Sequence, residues 1–310
     1  GWNGVIVNDM YPGLLPAWAP PIALKWDTTG TAASIDALSR ANRATNVGEL
    51  RAALAAMTTP ATTWTAADVK GTIAAFATGS HPVRKGHLGT FPAPGWNGCC
   101  EWDGKVDPMT LPGATSTTGF YAHANNLIVD PSKSKVFVNV DSAPSYRFDR
   151  IVELLGATKK HTWQTMSAIQ QDVKLNRAAR LVPLMLADLK KASLSAQESA
   201  ALTLLEKWDY NAGVDSAAAA IFFSTYRFSI IEALEDEVDP RGFEFVLAQR
   251  YSTNVADLWF DAPEHVVWDN RCTPAKEGRR DAVTAAFKRA VAAIAGAQGA
   301  DPAKWRWGAL

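Results

Sequence analysis

The stretch GFYAHANNLIVD, residues 119–130, carries two adjacent amides, Asn125 and Asn126, at the end of an apolar run flanked by aromatic residues. The run reads as a strand, yet Asn is a poor strand former and a good turn former. Two roles suit such a pair. One is an ordinary turn. The other is an amide N–H held at a strand end and aimed at a reacting atom, where an uncharged donor stabilises developing negative charge. On residue chemistry alone the turn is the stronger reading.

Other chemistry is scarce. The histidines, His81, His87, His123, His161 and His265, show no metal-ligand spacing. There is no G-x-S-x-G elbow and no phosphate-cradling Gly-Lys-Ser/Thr loop. The acidic cluster EDEVD, residues 235–239, reads as a solvated helix end in preference to a calcium loop. Cys99, Cys100 and Cys272 lack zinc-site spacing; a bridge between the adjacent pair is strained, and pairing of one of them with Cys272 stays open. With 31 basic and 31 acidic residues the formal charge is zero, which gives no footing for a nucleic-acid partner. The most apolar stretch, Ala217–Phe223, is too short to span a bilayer. Twelve Trp residues supply rigid walls for cores or pockets.

The elements that must position these residues follow from periodicity and caps. Asn3-Gly4 reads as a turn, Val5–Val7 and residues 21–26 as strands, with Pro12, Pro16 and Pro20 between them. Ile35, Leu38 and Ala41 have helical spacing, and Asn46 with Glu49 opens a second helix. Residues 62–79 read as a hairpin turning at Asp68–Gly71. Residues 80–118, with six Gly and five Pro, read as long irregular structure. Beyond Ser142 the pattern is helical. It runs through a helix closed by Gly156, a long amphipathic region over 162–192 interrupted at Pro183, and a capping box at Ser195–Glu198. A helix capped by Asp215 and Ser216 follows, and a last one runs over Arg279–Ala295, closed by Gly296. The expectation is an α+β chain: residues 1–142 mixed, residues 143–310 mainly helical.

Taken in order, ADVKGTIAAFATG, FPAPGW, EWDG, GFYAHANN, YRFDRIVELL, AIQQDV, LLEKWD and DSAAAAIF form a series. It resembles the large chain of the penicillin acylase family: a D-x-x-G hairpin, a P-x-P-G-W turn, A-x-x-N-N, R-x-x-x-I-x-x-L-L, and a W-D element before a helix. The resemblance implies an N-terminal-nucleophile hydrolase with an αββα sandwich and a large helical lobe. Both parts of the chain would then belong to one composite, multi-chain domain. It also implies hydrolysis of N-acyl amides of β-lactams or homoserine lactones, with the links to antibiotic resistance and quorum quenching that such substrates carry. In such enzymes a precursor cuts itself to expose an N-terminal Ser, whose own amine acts as base.

Residue by residue, the resemblance implies that Asn125 is the oxyanion donor and that Arg147 organises the surroundings of the nucleophile. It sets Leu38 and Thr62 at the acyl-pocket wall, although the family's residue types are not kept there. Residue 1 is Gly, so the Ser is expected on another chain of the same processed precursor, with this chain inactive alone. A periplasmic or secreted location follows from the resemblance. A structural calcium is left to other segments, because Asp130 is out of register for the acidic ligand expected after Asn126; no metal or cofactor is expected here. The rival reading is a non-catalytic, Trp-rich binding or scaffold member that keeps the fold and lacks the nucleophile.

Overall fold

The computed structural model describes residues 4–8, 10, 15, 19–27, 30–130, 136, 142–240, 242–244 and 252–310. Asn3, Pro12 and Pro16 lie outside the described residues. The chain divides into two compact units, Gly1–Phe148 and Asp149–Leu310.

In the first unit, β1 (Val5–Ile6) and β2 (Ala23–Leu24) pair antiparallel. Two helices follow, α1 (Thr31–Ala41) and α2 (Val47–Leu54). Asn46 Oδ1 accepts from Glu49 N at 3.0 Å, and the Glu49 carboxylate turns back onto Thr45 N at 2.8 Å, so the start of α2 is capped from both sides. The hairpin forms as β3 (Thr62–Ala67) and β4 (Ile73–Thr78), in register from Thr62 opposite Thr78 to Ala67 opposite Ile73. Asp68 builds its turn, accepting from Lys70 N and Thr72 N, and also accepts from Val47 N, which ties the hairpin to the start of α2. At the end of β4, Gly79 has φ 112°, and a Cβ there would lie 2.5 Å from Ala61 Cα, so only Gly fits.

Residues 80–118 are more regular than their Gly and Pro content suggests. They contain β5 (Pro82–Arg84), β6 (Trp102–Lys105) and β7 (Gly113–Thr115). β5 pairs with β6, and β7 pairs with β4 on the side away from β3. The ladder thus makes β4 a central strand, buried along most of its length, which suits its small residues. Phe76 packs there with Ala37, Leu54 and Met57.

α3 (Tyr146–Gly156) ends at the expected Gly and carries the chain from the first unit into the second. The second unit continues with α4 (Trp163–Gln170), α5 (Asn176–Leu189), α6 (Ala196–Glu206), α7 (Ala217–Leu234), α8 (Ser252–Trp259) and α9 (Arg279–Gln298). The expected long helix breaks at Gln171–Leu175, not at Pro183, which sits inside α5. The break is fixed by backbone bonds to a distant loop: Leu175 N donates to Tyr210 O and Ala212 N to Val173 O. Ser195 and Glu198 form the capping box of α6. Ser216 alone caps α7, while Asp215 pairs with Arg306. α9 runs through Gly296 and stops at Gly299, whose φ of 90° ends the helix.

α7 is apolar all round because it is the core of this unit, packed chiefly on α9. Its 18 residues, with mean hydropathy 1.3, are long and apolar enough by composition to cross a membrane, a longer apolar element than Ala217–Phe223 suggests. The buried cluster around it explains that composition: Leu181, Met185, Phe222, Phe260, Phe287 and Trp305 are all fully buried. Within the helix Ser229 Oγ donates to Thr225 O, and the buried Tyr226 hydroxyl reaches out of it to Asp257 Oδ1 at 2.7 Å.

Candidate functional site

The segment bearing the two amides is not a strand. After β7, Ser116 N makes the last ladder bond, to Ile73 O. The Ser116 hydroxyl then donates to Phe120 O, and Gly119, at φ 86°, closes a tight turn. Residues 121–123 run on with no ladder partner among the described residues, and the chain bends at Ala124–Asn125. Loss of a neighbouring strand therefore overrides the strand propensity of Phe120 and Tyr121.

The bend is held by specific bonds. Asn126 Oδ1 accepts from Ala124 N at 2.9 Å, and Asn126 Nδ2 donates to Leu127 O. Asn125 adopts φ 59°, a left-handed conformation that Asn tolerates. Its carbonyl accepts from Ala143 N at 2.7 Å. Arg147, in the first turn of α3, donates from Nη2 to Ala124 O at 2.7 Å and to Asn125 Oδ1 at 2.9 Å.

That last bond sets the direction of the Asn125 amide. A guanidinium only donates, so the amide end facing it must be oxygen. The Nδ2 end, with two N–H donors, is turned the other way, and no acceptor among the described residues meets it. Asn125 is solvent-exposed while Ala124 behind it is buried. The result is an uncharged donor on a fixed bend, with its acceptor end occupied by a cation. Nearby, burial pushes the Tyr121 phenol up, which keeps it neutral. His123 Nε2 is buried, with no hydrogen-bond partner among the described residues.

The structure thus brings Asn125 and Arg147 together. Leu38 lies on the exposed side of α1 and Thr62 opens β3, where its carbonyl accepts from the Thr78 hydroxyl. The hydrogen bonds joining Asn125 and Arg147 extend to neither. Two open clefts, about 450 Å³ between α2 and β4–β7 and about 570 Å³ beside Lys191–Ser193 and α9, also leave out both residues. Among the described residues there is no group of three or more His, Cys, Asp or Glu side chains that could hold a metal ion. All three cysteines are free, with Cys99 and Cys100 side by side in an exposed loop. Sequence reasoning passed over Arg150, one turn after Arg147, which grips Asp172 with both arms of its guanidinium. The signal was present in the QQDV run, whose Asp is the only acid between Glu153 and Asp188.

Comparison with known proteins follows the same lines. The family described as Penicillin amidase matches residues 2–310. An acyl-homoserine lactone acylase, QuiP, of Pseudomonas aeruginosa is 28% identical over 251 residues, covering 75% of this chain and 29% of that protein. A penicillin acylase 2 proenzyme of Pseudomonas sp. strain SE83 is 29% identical over 190 residues, covering 61% of this chain and 24% of that protein. The chain therefore spans less than a third of the length of these two relatives. The thermostable penicillin G acylase of Alcaligenes faecalis superposes with a TM-score of 0.66 at 18% identity, covering 92% of this chain and 57% of that one. The mixed helix-and-sheet fold is shared with that acylase.

Proposed function

This chain belongs to the penicillin amidase family, and from that premise we propose that it is the donor-bearing part of an acylase, an amide-bond hydrolase working through an acyl-enzyme. The observation that carries the reading is the Asn125 amide, turned by Arg147 so that its N–H end meets no acceptor among the described residues. The nucleophile in this reading is an N-terminal Ser on another chain of the same autoproteolytically processed precursor, and this chain alone is inactive. The free amine of that Ser takes the hydroxyl proton as the oxygen attacks the acyl carbonyl. Asn125 Nδ2 donates to the oxyanion that forms. The amine then returns the proton to the leaving nitrogen, and water repeats the sequence on the ester. A neutral donor serves here because a Lys or Arg at Asn125 would depress the pKa of the nearby amine.

The names of the relatives support small N-acyl amides as substrates, N-acyl-homoserine lactones or β-lactam side-chain amides. Leu38 and Thr62 remain our assignment for the acyl-pocket wall, and the periplasm or the exterior our assignment for location. The test is Asn125→Ala in the assembled enzyme. Removing one oxyanion donor costs about 10²–10³ in kcat. That loss, with KM and the thermal melt little changed, supports the reading. A kcat within about threefold of the parent, far short of such a loss, leaves the pair as a turn, and an assembled parent protein with no acylase turnover favours the non-catalytic scaffold.

A further inference from the structure

The stretch WNGCCEWDG sets two cysteines side by side just before β6, and the proposed chemistry leaves them without a task. Adjacent side chains of an extended chain point to opposite faces, so a cysteine pair inside a strand could not meet. Here the chain is turned instead. Gly98, at φ 70°, takes the left-handed conformation, and Cys99 and Cys100 fall in the turn that follows it. The turn is pinned on both sides. Cys99 N donates to Asn97 Oδ1 at 3.1 Å, and His87 Nε2 donates to Cys100 O at 2.8 Å. The two side chains come to lie together, with their Sγ atoms 2.6 Å apart. Both are free thiols, Cys99 exposed and Cys100 half-buried.

The two thiols are not equivalent. Contact with the Cys99 sulfur, and then burial, raises the Cys100 thiol above its usual value, so Cys100 keeps its proton while Cys99 faces solvent. A bridge between them would be strained. Neighbouring Cα atoms lie about 3.8 Å apart across a trans peptide, short of the roughly 4.4–6.8 Å that relaxed disulfides span. Strain does not forbid the bridge; it makes the bridge easy to reduce, which is the property of an exchangeable disulfide and not of a structural one. Closure also turns the peptide between the two residues. Its carbonyl, Cys99 O, stands against Gly86, where an added Cβ would lie 3.2 Å from that oxygen. The turn that holds the sulfurs is therefore in contact with Gly86 and His87, at the other end of the β5–β6 connection.

We propose that Cys99 and Cys100 form a reversible dithiol–disulfide site for small disulfides of the glutathione type, with Cys99 the attacking sulfur and Cys100 the resolving one. The Cys99 thiolate attacks one sulfur of the small disulfide, forms a mixed disulfide and releases one thiolate. Capping Cys99 removes the contact that held the Cys100 proton. The Cys100 thiolate then attacks the Cys99 sulfur, closes the bridge and releases the second thiolate. Two electrons pass from the pair to the small disulfide, whose two halves leave as thiols with the two protons. This does not depend on the acylase reading.

The test treats the assembled protein with oxidised glutathione, quenches with iodoacetamide and maps the cysteines by mass spectrometry. The peptide holding Cys99 and Cys100 is expected to lose two hydrogens and take up no label, and excess reduced glutathione is expected to restore both thiols. Cys272→Ser leaves this result unchanged, and Cys100→Ser stops at a mixed disulfide on Cys99. In the reduced parent, limiting iodoacetamide labels Cys99 at least about tenfold faster than Cys100. Thiols that stay free, mixed disulfides on both residues without a bridge, or a bridge to Cys272 overturn the proposal. So does a bridge that excess reduced glutathione leaves intact. Equal labelling of Cys99 and Cys100 overturns the order of attack.

Discussion

Among the described residues, 26 buried apolar side chains of the second unit form one continuous cluster around α7; in the first unit the corresponding cluster is Ala37, Leu54, Met57 and Phe76. The first unit makes up the difference with polar side chains bound to backbone. Ser34 Oγ accepts from Thr58 N and Thr59 N, Arg51 donates to Met109 O and Leu111 O, and Asp68 gathers three backbone N–H groups. Packing is cumulative and tolerates small shifts, whereas hydrogen bonds are directional and fix individual angles. Asn125 lies in the hydrogen-bonded unit, where single bonds set the direction of single groups.

The largest effect that would test this contrast lies in the packed unit. Arg279 and Asp188 are both buried and joined at 2.7 Å, and Arg279 also donates to Phe260 O. Arg279→Ala strands a buried carboxylate and is expected to cost about 3–5 kcal/mol in urea unfolding, while joint replacement of both by apolar residues of similar volume restores most of it. A single-variant cost below about 1 kcal/mol would put this pair with exposed ones and weaken the contrast.

Next in size is Arg147→Ala. A hydrogen bond to a charged group contributes about 1.5–3 kcal/mol. If it acts on the reacting geometry, that appears as a tenfold or greater fall in kcat with a smaller rise in KM. A change in KM alone would make Arg147 a substrate contact.

The smallest effect is acid sensitivity of the hairpin. Burial would raise the Asp68 carboxyl, but the backbone N–H groups of Thr72, Val47 and Lys70 outweigh it and hold its pKa below the usual value. A depressed folded-state pKa contributes stability above the unfolded value, near 3.9, and loses it as pH falls through the folded one. Amide exchange in β3 and β4 should therefore quicken as pH drops below about 4, and Asp68→Asn should flatten that dependence. Equal pH dependence in both proteins contradicts the role given to Asp68.

Much of this was legible in the sequence because its signals are local. The caps at Asn46, Ser195 and Ser216, the Asp68–Gly71 turn and the Gly156 helix end each depend on neighbours within a few residues. What was misread depends on distant partners. The break at Gln171–Leu175 is set by Tyr210 and Ala212, and Pro183 is accommodated inside α5 because the surrounding packing holds that helix. β7 forms because β4 offers it an edge, whereas Tyr121–His123 find no such edge and stay irregular. At the site, the ordered motifs pointed to Asn125 and Arg147, but nothing in their spacing told that the two side chains touch. Arg150 was passed over because its meaning lies in Asp172, 22 residues away.

In the proposed function the N–H end of Asn125 faces the reaction while its oxygen is held by Arg147. Asn125→Asp tests it most directly. The substitution keeps the size of the side chain and gives Arg147 a carboxylate to bind, so the bend and the thermal melt should persist. It removes both N–H donors and sets a negative charge where an oxyanion would form. A kcat loss of at least about 10²–10³ is expected in the assembled enzyme, with KM and melting temperature close to those of the parent. An Asn125→Asp enzyme whose kcat stays within about threefold, far short of an oxyanion donor's contribution, would contradict it.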